Sequence, residues 1–351
     1  MTPTTVLTAA GGKTVSFSQT MRFFLNRLPA RSRDIVEIRF GIAESEPKTL
    51  EEIGRTYGIT RERVRQVIGS VLGFIAGEHA DPMIVRITTL VQSTLQEKSG
   101  IMETEELLKI LTRENKNERG ALLAFIESLS MLKAEKETDE MEGAYRLESF
   151  DLARWKEIKD ATKAVLEKTS EPLAADVFYR YFQIKNPEIS EKIFFDFLAV
   201  AKDVKQNVFG KWGLASSSDI RPRGTREKAH LILKTVGKPL HFREIAVLID
   251  KHGLQGKKEK SHPQTVHNEL IKDKRFVLVG RGIYALSEWG YKKGTVKDVV
   301  MDILKTSDKP LSREEILAEV MKRRQVKKST VIINLNTSFT RVGKNAYTVK
   351  E

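Results

Sequence analysis

Thr49–Ala76 reads TLEEIGRTYGITRERVRQVIGSVLGFIA. Thr49 followed three residues later by Glu52 is a capping box, so the spacing predicts a helix that begins there. Leu50, Ile53 and Tyr57 then share one face at helical spacing. Gly58 can take the left-handed conformation that ends this helix, and Thr60 can cap a second one opening at Arg61. Two short helices joined by a glycine turn make a helix-turn-helix, whose second helix meets base edges with its N-terminal end. Arginine pairs bidentately with guanine and glutamine with adenine, while glutamate accepts from cytosine. Arg61, Glu62, Arg65 and Gln66 are therefore the candidate base readers, with Arg55, Thr60 and Arg63 as candidate phosphate contacts on double-stranded DNA.

The same residues carry a family resemblance. Leu28-Pro29-Ala30-Arg31-Ser32-Arg33, Ile38-Arg39-Phe40-Gly41-Ile42, Thr49-Leu50-Glu51-Glu52-Ile53-Gly54-Arg55 and Gly58-Ile59-Thr60-Arg61-Glu62-Arg63-Val64-Arg65-Gln66 follow one another in order. Over roughly residues 18–75 this resembles region 4 of sigma-70-type bacterial RNA polymerase sigma factors. The resemblance implies recognition of a minus-35-type promoter element and docking on the beta flap of core RNA polymerase. Two departures narrow it. After Gln66 the sequence runs VIGSVLGFIAG, with Ser70, Gly73, Phe74 and Ala76 where the family usually places Lys and Arg. Phosphate contacts from that end should be weaker, the two glycines there each weaken the helix by roughly 1 kcal/mol, and the apolar replacements imply packing on a neighbouring domain. Nor does the chain supply the aromatic-rich helices by which sigma factors melt the minus-10 element, so it is not expected to act alone as an initiation factor.

Upstream, residues 1–17 show no periodicity and read as a flexible arm. Met21, Phe24, Leu25 and Leu28, then Ile35, Val36 and Ile38, suit two short helices split at Pro29 that complete a four-helix head over residues 18–80.

Beyond the Asp81-Pro82 boundary the chain repeats. Glu171-Pro172-Leu173, Lys238-Pro239-Leu240 and Lys309-Pro310-Leu311 are 67 and 71 residues apart, each between two helix-like runs. Phe276-Val277-Leu278-Val279-Gly280-Arg281-Gly282-Ile283-Tyr284 matches Phe339-Thr340-Arg341-Val342-Gly343-Lys344-Asn345-Ala346-Tyr347 position by position. Trp212 closes an earlier copy and Tyr145 a fainter one, in which Met102 takes the place of the leucine. Three helices followed by a two-stranded hairpin is the plan of a winged helix, and a period near 70 residues is one small domain per repeat. The expected organisation is mainly α, with winged-helix repeats at 84–148, 151–216, 225–290 and 295–350. The third copy, through Lys238-Pro239-Leu240-His241-Phe242-Arg243-Glu244-Ile245-Ala246, His262-Pro263-Gln264-Thr265-Val266 and Gly282-Ile283-Tyr284-Ala285-Leu286, resembles the HARE-HTH family. That winged-helix module also occurs at the front of the delta subunit of bacterial RNA polymerase and in restriction systems.

Charge is uneven along the 351 residues: +3 over 1–80, −5 over 81–150, 0 over 151–220, +10 over 221–294 and +5 over 295–351. A basic C-terminal third favours polyanion partners through counterion release. Lys257, Lys258, Lys260 and the wing-tip Arg281 in the third repeat, with Lys327 and Lys328 in the fourth, read either as phosphate contacts or as solvated charge. The acidic first repeat reads as a protein contact or spacer. Arg221-Pro222-Arg223-Gly224, in the Ser-rich linker 215–224, reads as a phosphate contact or a flexible joint. Phe194, Phe195 and Phe197 read as core, and five of the six histidines, all in the third repeat, as turn, cap and surface residues.

There is no cysteine, no nucleotide-binding glycine loop, no catalytic triad order and no metal-ligand spacing, so no enzyme activity, catalytic residue, cofactor or metal is expected. No apolar run approaches the ~18 residues of a membrane span, and a cytoplasmic, nucleoid-associated bacterial location is expected. The leading expectation is a sigma-like, sequence-specific DNA-binding regulator working with polymerase. A delta-like polymerase accessory without specific DNA binding, or the DNA-binding arm of a restriction or defence system, stays open.

Overall fold

The computed structural model describes residues 16–42, 46–256, 260–291, 294–307, 309–324 and 326–349. The protein is mainly α-helical, with small antiparallel sheets. The chain divides into two units, Met1–Ser170 with Asp176–Lys205, and Glu171–Ala175 with Gln206–Glu351.

The head is built from α1 (Phe17–Leu25), α2 (Ala30–Phe40), α3 (Leu50–Tyr57) and α4 (Arg61–Gly77). Pro29 separates the first two helices by serving as the N-cap of α2, where its missing N–H costs nothing. Asp81 caps α5 (Pro82–Glu97) with Pro82 in its first turn, the boundary expected from the dipeptide. The first repeat continues through β1 (Ile101–Glu103), α6 (Thr104–Thr112), α7 (Lys116–Ser128), β2 (Leu132–Glu135) and β3 (Ala144–Leu147), its strands ordered β1-β3-β2.

Head and first repeat share one hydrophobic core, which runs without a break from Phe17 to Leu147. Helix α7 makes the join. Its Gly120 lies so close to the end of α2 that a Cβ there would stand 2.1 Å from the carbonyl oxygen of Phe40. Its Glu118 carboxylate accepts from the backbone N–H groups of Phe17 and Ser18, satisfying donors that a helix start leaves unpaired. The apolar end of α4, where Phe74 replaces a cation, packs into this same core.

The second repeat contributes α8 (Leu152–Leu166), α9 (Ala175–Gln183), α10 (Glu191–Ala199), β4 (Val204–Gln206) and β5 (Trp212–Leu214). Phe194 and Phe197 are buried, and Phe194 packs edge-on or tilted against Phe178 and Phe182, so these aromatics are core. The first and second repeats are joined by backbone pairing: Glu142 N–H donates to Val200 at 2.9 Å and Lys202 N–H to Glu140 at 2.9 Å. Around that seam Glu137 pairs with Lys202, Glu142 with Lys205 at 2.8 Å, and Glu140 with Lys159 at 2.9 Å. Three surplus carboxylates of the acidic repeat are thus neutralised by its own neighbour. The division into units runs through this second repeat: its three helices belong to the first unit, and Leu173 with its antiparallel partner Trp212 to the second.

In the second unit the linker 215–224 is a packed turn and not a flexible joint. Ile220 is buried against Gly213, and Asp219 binds Lys234 at 2.8 Å. The third repeat follows as α11 (Thr225–Val236), β6 (Leu240–His241), α12 (Phe242–Lys251), α13 (Pro263–Lys272), β7 (Phe276–Gly280) and β8 (Ile283–Leu286), with strand order β6-β8-β7. The fourth has α14 (Val296–Thr306), β9 (Leu311–Ser312), α15 (Arg313–Arg323), α16 (Lys328–Ser338), β10 (Thr340–Val342) and β11 (Ala346–Thr348), ordered β10-β11-β9. A short strand before the second helix therefore adds a third member to the expected hairpin in the first, third and fourth repeats.

Candidate nucleic-acid interface

The helix-turn-helix is fixed by side chains that satisfy the ends of its two helices. Thr49 Oγ1 accepts from the Glu52 N–H at 3.3 Å while the Glu52 carboxylate accepts from the Thr49 N–H at 2.8 Å, closing the capping box. Those hydrogen bonds hold the Glu52 carboxyl below its ordinary range. Gly58 ends α3 with φ +63°, and Thr60 Oγ1 accepts from the Arg63 N–H at 3.1 Å to start α4. Gly54 is the tightest point: a Cβ there would meet the Ile59 carbonyl oxygen at 2.7 Å, so the turn passes over α3 only because this residue has no side chain.

Val64, Ile68, Val71 and Ile75 bury one face of α4, with Ile53 of α3 in the same core. Burying side chains of this size stabilises by about 1.5–3 kcal/mol each. With that face committed, Arg61, Glu62, Arg65 and Gln66 are exposed at the other side of the N-terminal end. Arg65 donates to Glu62 through Nε at 2.9 Å and Nη2 at 2.7 Å. Arg63 Nη1 donates to Gln66 at 3.2 Å, and Arg55 of α3 pairs with Glu51 at 2.5 Å. The hydrogen bonds from Arg65 push the Glu62 carboxyl below the usual carboxylate range, so it stays charged and offsets Arg65. Exposed pairs of this kind are weak, about 0–1 kcal/mol, and open readily when a base edge or phosphate competes. Arg55, Thr60 and Arg63 flank the four candidate readers in this one surface.

The rest of α4 carries no cation. Gly69, Gly73 and Gly77 are exposed at four-residue spacing, and a Cβ at each would meet nothing within 4 Å. Gly77 completes a spacing visible in the sequence once three glycines are counted instead of two. Sequence reasoning also missed Arg31, whose Nη2 donates to the Tyr57 carbonyl at 2.8 Å beside the turn. Arg27 lies over the Phe74 ring at 5.1 Å and pairs with Glu78 at 2.8 Å, tying α1 to the end of α4.

Candidate residues in the second unit form two separate sets. In the third repeat Lys260 is exposed before α13, and Arg281 is exposed at the β7–β8 turn beside Gly282, whose φ is +72°. Lys257 and Lys258 lie outside the described residues. In the fourth, Lys327 and Lys328 are exposed at the start of α16 and enter no ion pair among the described residues. Arg341 and Lys344 on the exposed β10–β11 turn extend this set, a cue present in the sequence as the repeat counterpart of Arg281. Not every cation of the run faces outward. Lys322 pairs with Glu319 at 2.7 Å, and Arg324 is buried. The histidines of the third repeat act largely as caps and turns: His241 Nδ1 accepts from the Arg243 N–H at 3.3 Å, and His262 is the N-cap of α13.

Residues 24–72 match the family described as sigma-70, region 4, and residues 224–289 match HARE-HTH, a family described as a restriction endonuclease HTH domain. Over 48 residues the chain is 42% identical to the RNA polymerase sigma factor SigA of Listeria monocytogenes and to that of Listeria innocua. That stretch covers 14% of this chain and 13% of each relative, so the likeness concerns region 4 alone. The chain carries both modules, in the places where the helix-turn-helix and the third winged helix stand. No described helix is long and apolar enough to cross a membrane.

Proposed function

We propose that this chain is a non-catalytic, sequence-specific DNA-binding regulator that acts with RNA polymerase at the bacterial nucleoid, α4 reading a minus-35-type element. The observation that carries the reading is the exposed constellation Arg61, Glu62, Arg65 and Gln66 at the start of a second helix whose opposite face is buried. The side chains are of the types that read guanine, cytosine and adenine edges, at the end of the helix that meets them. Lys327 and Lys328, and separately Lys260 and Arg281, supply non-specific phosphate contacts that offset the missing cations of α4. The beta-flap contact would fall on α1 and α2, whose inward residues are already covered by α7, leaving the exposed Phe23 to begin it.

One observation favours a second reading, an accessory protein that binds polymerase without selecting sequences. From Val67 to Gly77 the recognition helix presents no cation. Selection of bound sequences from random DNA, with and without core polymerase, separates the two. Enrichment of a common element by the chain is the expected result. Retention of polymerase with no enriched element under either condition would replace the first reading by the second.

A further inference from the structure

A groove of about 650 Å³ opens on the second repeat between the outer face of α8 and the end of α9. Its floor is Ala161, Ala164 and Val165, at the spacing of one helix face. Its far wall is Tyr181 and Ile184, which are 48% and 74% exposed. Lys168 and Lys185 stand at its rims, and no carboxylate lines it among the described residues. All of these residues belong to the first unit. The volume is in the range of binding pockets, and small floor residues next to large exposed apolar ones leave room for an inserted side chain.

The repeats indicate what fits. The 67-residue offset that aligns Glu171-Pro172-Leu173 with Lys238-Pro239-Leu240 sets Phe178 and Phe182 on Ile245 and Ile249, all four buried. The same offset puts His252 in the place of Lys185 and Leu248 in that of Tyr181. In the third repeat this place is filled by the chain itself. Phe209, at the turn before β5, packs against the core that includes Leu248, its ring centroid 4.7 Å from that of His252. In the second repeat the preceding hairpin is used elsewhere, paired along Glu140–Glu142 with Val200–Lys202, and the groove stays open.

We propose that this groove is a docking site for a partner protein that inserts an aromatic side chain from an acidic segment. The aromatic anchor follows from the quasi-equivalent seat of Phe209, and the acidic flanks from Lys168 and Lys185, which replace an uncharged wall by two cations. An aromatic in a desolvated pocket with charges at its rim is the usual composition of an interface hot spot.

The test is a selection of phage-displayed 12-residue peptides on the intact chain, counter-selected on an Ala164→Arg chain. Ala164 is exposed, so the new side chain fills the groove without entering the core, and an unchanged melting temperature checks this. The expected peptides carry Phe, Tyr or Trp flanked by Asp or Glu, and lose roughly tenfold or more in affinity on Ala164→Arg. They should weaken similarly on the doubly reversed Lys168→Glu/Lys185→Glu chain, a pair of surface changes independent of the first. Recovery of no groove-dependent peptide, or of peptides lacking either the aromatic or the acidic residues, would overturn the proposal. So would a dimer of the parent chain that Ala164→Arg dissolves, which would make a second copy the occupant.

Discussion

Arg65 directs two of its donors at Glu62, one helical turn back on the same exposed face of α4, so a cationic reader is held straight by an anionic one. On DNA both must let go or turn together. Replacing Arg65 by Ala is expected to weaken specific binding by about 1–3 kcal/mol and to relax preference at one base pair. Glu62→Gln removes a negative charge from a surface that faces phosphates, so it should strengthen binding to unrelated DNA while lowering selectivity. Titrations at fixed salt on selected and scrambled duplexes measure both. Unchanged affinity and preference in Arg65→Ala would remove α4 from base reading.

Two glycines of the helix-turn-helix should respond in opposite ways. Gly54→Ala puts a methyl 2.7 Å from the Ile59 carbonyl, backbone against side chain, and is expected to cost about 1–3 kcal/mol as overpacking. Gly69→Ala meets nothing and sits in an exposed helix, so it should stabilise by about 1 kcal/mol. Denaturant melts of the two variants decide it, and a loss of stability in Gly69→Ala would mean that α4 bends there for a reason of packing.

Much of this arrangement is legible in the sequence because it rests on local rules. The box at Thr49 and Glu52, the break at Pro29 and the cap at Asp81 each need only neighbours a few residues away. The repeat alignment is legible for a different reason. Met102 faces Tyr145, Leu173 faces Trp212, Leu240 faces Tyr284 and Leu311 faces Tyr347, one cross-strand pair kept in place through four copies. What stayed hidden depends on distant partners. The approach of Gly120 to Phe40 brings together residues 80 positions apart, and nothing near either one announces it. Strands of two residues such as β6 and β9 are too short to show alternation. Lys159 and Arg324 look like surface cations until the fold surrounds them.

Lys159 is 1% exposed and binds Glu140 and Asp160 at 2.9 Å each, with Asp203 at 3.7 Å. Burial works against its charge, but the carboxylates outweigh it and raise its pKa. Lys159→Ala leaves those carboxylates facing one another across the seam between the first two repeats. A loss of about 3 kcal/mol is expected, the low end for a broken buried pair because Glu140 and Asp160 remain half exposed. Addition of salt should recover part of it by screening the repulsion. Denaturant melts at two ionic strengths measure both effects.

His230 provides a pH dependence of known sign. Asp219 lies 3.8 Å away and favours the imidazolium, yet burial and then Arg275 outweigh it, so the folded pKa lies below the ordinary histidine value. A base with a depressed folded pKa contributes fully above its unfolded pKa, about 6.5, and loses that contribution as pH falls through this value. Melting temperature of the parent chain should therefore drop more steeply below that pH than that of His230→Gln. Parallel curves for the two proteins would show that another group is responsible.

Arg324 holds the last two repeats together through backbone oxygens. Its Nη1 donates to the Leu278 carbonyl at 2.8 Å, at the bulge where β7 shifts register, and its Nη2 to the Gly294 carbonyl. Burial lowers the pKa of this guanidinium while Asp298 opposes the shift. The outer face of the third-repeat hairpin is buried beside it, through Val277, Val279 and Ala285 with Trp289 and Tyr291. Arg324→Met keeps the apolar stem and removes the donors, leaving two carbonyls that water must reach. Hydrogen bonds to a charged group contribute about 1.5–3 kcal/mol, so a loss near 2 kcal/mol is expected. Local opening should follow the same path: amide exchange should quicken along Leu278–Gly280, while α3 and α4, in the other unit, keep their protection. DNA binding distinguishes a hinge from a mere loss of stability. If the two basic sets, Arg281 and Lys327 with Lys328, bind one duplex as a fixed pair, Arg324→Met should weaken the intact chain more than Lys327→Ala does, and flatten its salt dependence. Equal exchange along β7 in variant and parent would remove Arg324 from that role.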